Sequence, residues 1–367
     1  MAESDLPKGG ENQMTPQERR HWTSQMGARH AWWESGAEAA IDPNRAVIDA
    51  HLHLWEARAF SDPTGEEPLR TSRFMPADFD AGGHLVDGFL YIECSSGYRS
   101  DGPLNLRPVG ESAFAARQAS RCEALGLPPL LGCVAHADLC DPTLDAVIDA
   151  HEHAAKGLLK GIRQSAARLE DPSAGLLAGA EEPGLYGEAE FRRGLARLGE
   201  RGLVFDAFVF HHQLGEVLDL ARAVPGTTVV LNHLGGPVGY DGPGSEPAGW
   251  RTGLGALADC PNVVVKLGGV ASLVTGYDAA PRPVPPSSET FVAERGALFA
   301  HAIACFGPER CMFESNFPVD STSISYGTLW NAYKRIAAKY DAPAQEQMLL
   351  GTARAVYGLP GTPSKPI

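Results

Sequence analysis

The chain has 367 residues, 44% hydrophobic and 21% charged, which suits a soluble globular protein of one large or two ordinary domains. A formal net charge of −14 argues against a nucleic-acid footprint or an anionic-membrane binder. Seven cysteines without CxxC pairs read as reduced thiols, no apolar leader opens the chain, and no apolar run reaches the ~18 residues of a membrane span, so the expected setting is cytoplasmic.

In chain order, Met1–Gln13 reads as a disordered start. Thr15-Pro16 then offers a cap and a proline at the first helical position. A helix anchored by Trp22, Trp32 and Trp33 is expected to run on to Glu38. Residues 1–44 are taken as an N-terminal helical extension packed on a catalytic domain over 45–360. Eight short apolar runs follow: Val47-Ile48, Gly88–Glu93, Leu130–Ala135, Leu158–Arg163, Leu203–Phe210, Thr228–Leu234, Asn262–Leu267 and Arg310–Phe313. Helix-like patterns fill most gaps, as at Leu144–Lys156, Phe191–Arg201, Leu214–Ala223 and Phe291–Cys305. Strands alternating with helices imply parallel pairing, and eight such units predict a (β/α)8 TIM barrel. A doubly wound open sheet is the alternative, weakened by the lack of GxGxxG after the first strand. Asp171–Tyr186 and the proline-rich Thr275–Glu289 read as insertions in loops of the barrel mouth, as lids, substrate walls or surface decoration.

Chemistry concentrates where strands end. Asp49-Ala50-His51-Leu52-His53 closes the first apolar run. In a strand, side chains alternate with period two, so His51 and His53 share a face and Asp49 is expected in phase with them. Two imidazoles on one face can hold one metal ion. Other strands end in Glu93, Arg163, His211-His212, His233 and Glu314-Ser315-Asn316, with Asp320 in the loop beyond. In a barrel all these ends converge on one mouth. His211 and His212 face opposite ways in a strand, and His212, in phase with Asp206, is favoured as the inward one. Glu93 is either a ligand or the partner of Arg163. Arg163 and Tyr98 are candidates for substrate binding, Arg163 through a carboxylate or phosphate. Asp49 is expected to support the ligands from behind, Lys266 to be structural, and His136 and Asp138 to serve as local caps or mouth residues. His151-Glu152-His153 repeats the HxH spacing inside a helical pattern, where positions two apart lie on different faces, so it is not a metal site. Gly235-Gly236-Pro237 lacks the ending of a phosphate loop and reads as a tight turn. Ser315 has no nucleophile-elbow context.

The DxHxH start, Lys160–Arg163 (KGIR), His211–Leu214 (HHQL), Asn232–Pro237 (NHLGGP) and Ser315–Pro318 (SNFP), in that order from Val47 to Tyr357, resemble the amidohydrolase-related TIM-barrel proteins. They are most similar to the branch containing sugar-acid and pyrone-dicarboxylate lactonases. The resemblance implies a metal site built from residues of strands one, five, six and eight. It also implies a strand-eight aspartate acting as general base, where this chain carries Asn316. An amide cannot accept that proton. Glu314 and Asp320 are the substitute bases, and Asn316 is left to bind metal or substrate.

His51, His53, Glu93, His212, His233 and Asn316 form the expected ligand set, and a mixed His/carboxylate set suits iron at one or two ions. A branch with an SNFPV-type ending resembles nonheme di-iron oxygenases, which act on hydrophobic or coenzyme-A-linked substrates. A monooxygenase is therefore placed ahead of a zinc- or manganese-dependent lactone hydrolase. A decarboxylase or lyase and a non-catalytic metabolite-binding barrel follow. The expected partner is a small molecule, with Arg58, Arg70 and Arg73 available to greet an anionic group; a homo-oligomer is left open.

Overall fold

The computed structural model describes residues 30–55, 59–61, 68–70, 74–169, 183–272, 275–279 and 281–361. Its strands are β1 (Val47–Leu52), β2 (Ala59–Ser61), β3 (Pro68–Arg70), β4 (Val86–Ile92), β5 (Leu130–Ala135), β6 (Leu159–Arg163), β7 (Val204–Ala207), β8 (Val229–Leu231), β9 (Val263–Leu267) and β10 (Cys311–Phe313). The helices are α1 (His30–Ser35), α2 (Val109–Leu125), α3 (Leu144–Ala155), α4 (Ala189–Glu200), α5 (Leu214–Ala223), α6 (Trp250–Ala258), α7 (Ser288–Phe306), α8 (Tyr326–Ala337), α9 (Ala342–Glu346) and α10 (Thr352–Tyr357).

Strands β1 and β4–β10 form one sheet in chain order, every pairing parallel. They are buried along almost their whole length, as parallel strands covered on both faces must be. The sheet closes on itself just beyond β10. There the Asn316 N–H donates to His51 O at 2.9 Å and the His53 N–H donates to Phe317 O at 2.7 Å. This is the expected (β/α)8 barrel, and closure removes the open-sheet alternative. β2 and β3 add an antiparallel hairpin in the connection after β1.

Ile48, Leu90, Val134, Val204, Val230, Val264 and Met312 fill the barrel interior with Leu350, Ala353, Tyr357 and Leu359 of the C-terminal segment. That segment lies beside Leu159 and Leu203, at the strand N-termini. With a side-chain period of two, the next inward positions are Asp206, Asn232, Lys266 and Glu314. Each follows an apolar interior residue by two, so an apolar floor carries a polar layer nearer the mouth.

Within the stretch expected as an extension, α1 and the described residues after it contact the barrel. Trp32 Nε1 donates to Arg282 O at 2.9 Å, and Trp33 Nε1 to Ser321 O at 3.0 Å. Glu38 takes the Ser288 N–H and hydroxyl at the start of α7, both at 2.6 Å. Trp22 and the expected helix start lie outside the described residues, as does most of Asp171–Tyr186. In the second insertion, Tyr277 OH donates to Glu294 Oε2 of α7 at 2.7 Å. No helix among the described residues is long and apolar enough to cross a membrane.

Candidate metal centre

The two β1 histidines converge. His51 Nε2 stands 3.1 Å from His53 Nε2, and both residues are buried. His53 Nδ1 faces the carbonyl of Ile92 at 2.8 Å. A carbonyl only accepts, so Nδ1 carries the proton and Nε2 is bare. Two ring nitrogens this close need a proton or a cation between them. Burial, then the nearby Lys266 ammonium, hold His51 well below the usual histidine pKa, so the imidazole is neutral and brings a single ring proton, shared between Nδ1 and Nε2 by tautomer.

His233 follows β8 in a tight turn with φ of 55°, and its Nδ1 lies 2.7 Å from Glu314 Oε1, which also accepts the His233 backbone N–H at 3.0 Å. Its Nε2 is thereby left bare. Glu314 Oε2 is 2.9 Å from His51 Nδ1 but too far off the N–H axis to close a hydrogen bond, so it is a buried carboxylate oxygen without one. Donor atoms of His51, His233 and Glu314 lie within 4.8 Å of one another. Unprotonated imidazole nitrogens and a buried carboxylate oxygen without a hydrogen bond fit a divalent cation. Gly268 and Gly269 make room: a Cβ on the first would collide with Glu314, and on the second with the His233 ring.

Asp49 departs from the expectation. A register shift between Asp49 and Leu52 breaks the alternation, and the carboxylate meets helix α8 instead. It accepts Tyr326 OH at 3.1 Å, Ser315 N–H at 2.8 Å and His51 N–H at 3.2 Å. It supports the β1–β10 seam beside the histidines, and burial raises its pKa to about 6.

His212 is a correction. Strand β7 ends at Ala207, and His211–Gln213 forms a 3-10 turn that opens α5, so phase with Asp206 is lost. His212 is exposed and stands apart from the cluster of His51, His233 and Glu314. Glu93 takes the second of its two expected roles. Its Oε1 accepts Arg163 Nε at 2.7 Å, and that pair is buried. Tyr98 is half-buried; burial, then the charges of Glu111 and Glu93, push its hydroxyl pKa up. His136 Nδ1 sits 3.2 Å from Arg163 O. Arg58 and Arg73 lie outside the described residues.

Asn316, at φ 55°, donates through Nδ2 to Asp320 Oδ1 at 2.9 Å, and Asp320 Oδ2 accepts the Ala271 N–H at 2.9 Å. Burial raises the Asp320 pKa to about 8. Both its oxygens are committed, and it orients the amide rather than facing a reactant.

A buried column runs beneath the histidines. Lys266 Nζ donates to Asp206 Oδ2 at 2.7 Å and lies 3.4 Å from His51 Nδ1. Asp206 also accepts Asn232 Nδ2 at 2.9 Å and Tyr357 OH at 2.8 Å. Sequence reasoning left Lys266 structural and assigned Tyr357 nothing. The signal available was a charged residue two positions after a buried valine in each of two strands, Val204/Asp206 and Val264/Lys266.

The chain matches the family described as Amidohydrolase over residues 48–359. The "Uncharacterized protein y4mH" of Sinorhizobium fredii is 31% identical over 317 residues, covering 85% of this chain and 98% of that protein. An L-fucono-1,5-lactonase of Burkholderia multivorans is 34% identical over 176 residues, 47% of this chain and 57% of that protein. The crystal structure of an amidohydrolase from Burkholderia multivorans with bound zinc has a TM-score of 0.64 at 25% identity, over 86% of this chain and 100% of that one.

Proposed function

The chain belongs to the amidohydrolase family, and we propose that it is a divalent-metal-dependent hydrolase that opens a lactone ring. The observation that carries this is the His51–His53 approach at 3.1 Å beside His233 and the unsatisfied Glu314 Oε2. Likeness to a lactonase and to a zinc-bound amidohydrolase supports the reaction class and zinc as the ion. The oxygen-activating reading that the sequence placed first gives way to its alternative. The relative named by an activity hydrolyses a lactone, and the zinc-bound neighbour favours a metal without redox chemistry.

His51, His53 and His233 would hold the ion. When bound, it polarises a carbonyl and makes water more acidic. Glu314 Oε2 is the base: it takes a proton from the attacking water as the water oxygen bonds to the carbonyl carbon. The ring C–O bond then breaks, and the same proton passes from Glu314 to the departing ring oxygen, leaving a hydroxy acid. Oε1 stays on His233 throughout and keeps the carboxylate aimed. Asn316, pinned by Asp320, accepts no proton; its amide positions the substrate. Phe208, edge-on to the His233 ring at a centroid distance of 5.2 Å, keeps that side of the site apolar.

The test is a panel of neutral and carboxylated lactones with zinc-loaded protein and Glu314→Gln. Wild type is expected to hydrolyse members of the panel, and the variant to lose roughly 10²-fold or more in kcat with KM little changed. No turnover of any lactone, or an unimpaired Glu314→Gln, would overturn the reading.

A further inference from the structure

Arg163, the last residue of β6, is a cation on the wall of the candidate site, and its charge is already matched from inside the protein. Its Nε donates to Glu93 Oε1 at 2.7 Å and its Nη2 to the Glu93 carbonyl. The guanidinium lies 5.7 Å from the centre of the Phe208 ring, which itself abuts His233. Behind Glu93 sits a second buried carboxylate. Glu111 Oε1 accepts Tyr91 OH at 2.7 Å and the Cys94 and Ser96 N–H groups at 2.8 Å, while Oε2 makes no hydrogen bond. Burial, then the Glu93 charge, raise Glu111 to about 7, so the two carboxylates feel each other. The other cation next to His51, Lys266, is held by Asp206.

We propose that this mouth selects an uncharged, hydroxyl-bearing lactone over a carboxylated one, with Glu93 as the specificity-determining residue. This rests on the hydrolase reading above. An arginine fork is the usual seat for a substrate carboxylate. Here an incoming carboxylate meets an arginine whose charge Glu93 already balances, and it brings an unmatched negative charge beside two buried carboxylates, Glu93 and Glu111. Substrate hydroxyls meet no such obstacle. They donate to the Glu93 carboxylate, which accepts more than one hydrogen bond, and they bring no charge to neutralise.

The experiment compares zinc-loaded wild type, Glu93→Gln and Arg163→Gln on galactono-1,4-lactone and the matching galactaro-1,4-lactone, which carries a carboxylate at C6. Calorimetry with gluconolactam and its C6-carboxylate supplies a binding readout independent of turnover. Wild type should favour the neutral member of each pair by about tenfold or more, and Glu93→Gln should shift that ratio toward the anion by a similar factor. Arg163→Gln should weaken the anion no more than the neutral compound. A wild-type preference for the carboxylated member, a ratio unmoved by Glu93→Gln, selective loss of the anion in Arg163→Gln, or binding of neither lactam would overturn the proposal. Hydrolysis of neither lactone with the lactam ratio as expected would overturn the hydrolase reading alone.

Discussion

The chain contains the same pattern twice, His51-Leu52-His53 and His151-Glu152-His153, with opposite outcomes. The first pair stands at the end of β1, where both imidazoles turn to one point and their Nε2 atoms meet at 3.1 Å. The second lies in α3, where positions two apart diverge around the helix. His151 is buried against Ser112 Oγ at 2.7 Å, and His153 is exposed to solvent. Spacing acquires chemical meaning only from the period of the element that carries it.

The contrast can be broken most severely at β1. His51→Ala should abolish zinc retention and lactone hydrolysis, while His151→Ala should retain both; elemental analysis and rates on the same preparations read this directly. An intermediate effect is expected from Gly269→Ala. The added Cβ would collide with the His233 ring, and the φ of 65° disfavours any side chain. Zinc affinity measured against a competing chelator should fall about 10–100-fold, the range seen when the support of a ligand is disturbed.

Asn316→Asp sharpens the comparison at the other side of the seam. Introducing the carboxylate that the sequence resemblance implies at this position invites a gain, but the structure predicts a loss. The introduced carboxylate would face Asp320 where Asn316 now donates, so the two buried carboxyl groups must take up a proton to avoid repulsion, at a cost of about 1–3 kcal/mol. Asn316→Asp with Asp320→Asn restores a donor and an acceptor. Denaturant midpoints should drop in the single variant and recover in the double, and only the double should match or exceed wild-type turnover.

The smallest effect belongs to the helical pair and concerns stability alone. Burial pushes His151 down to about 4, below the ~6.5 of an unfolded histidine. The unfolded chain therefore binds the extra proton as pH falls from about 6.5 to about 4, and wild-type stability declines across that window. His151→Ala should cost about 1–3 kcal/mol at neutral pH. It should also flatten the decline between pH 7 and pH 5 in urea titrations.

The barrel was legible because parallel strands buried on both faces are continuous apolar runs, and each of the eight runs contains its strand or overlaps it. His51, His53 and His233 were legible because they end such runs. What escaped depended on where pairing stops. The apolar stretch from Leu203 to Phe210 continues beyond the sheet, which releases the chain at Ala207, so extending the alternation to His212 failed. The Asp49 phase failed because a register shift within β1 leaves no mark in composition. Glu93 and Arg163 are 70 positions apart, and only closure of the barrel decides that they meet.

In the proposed reaction His51, flanked by His53 on one side and His233 on the other, holds one ion for hydrolysis. Stepwise return of zinc to metal-stripped protein, with the rate of lactone opening followed, tests it most directly. The rate should climb from background and level off near about one equivalent per chain. Stripped protein that opens lactones as fast as the reloaded form would contradict it.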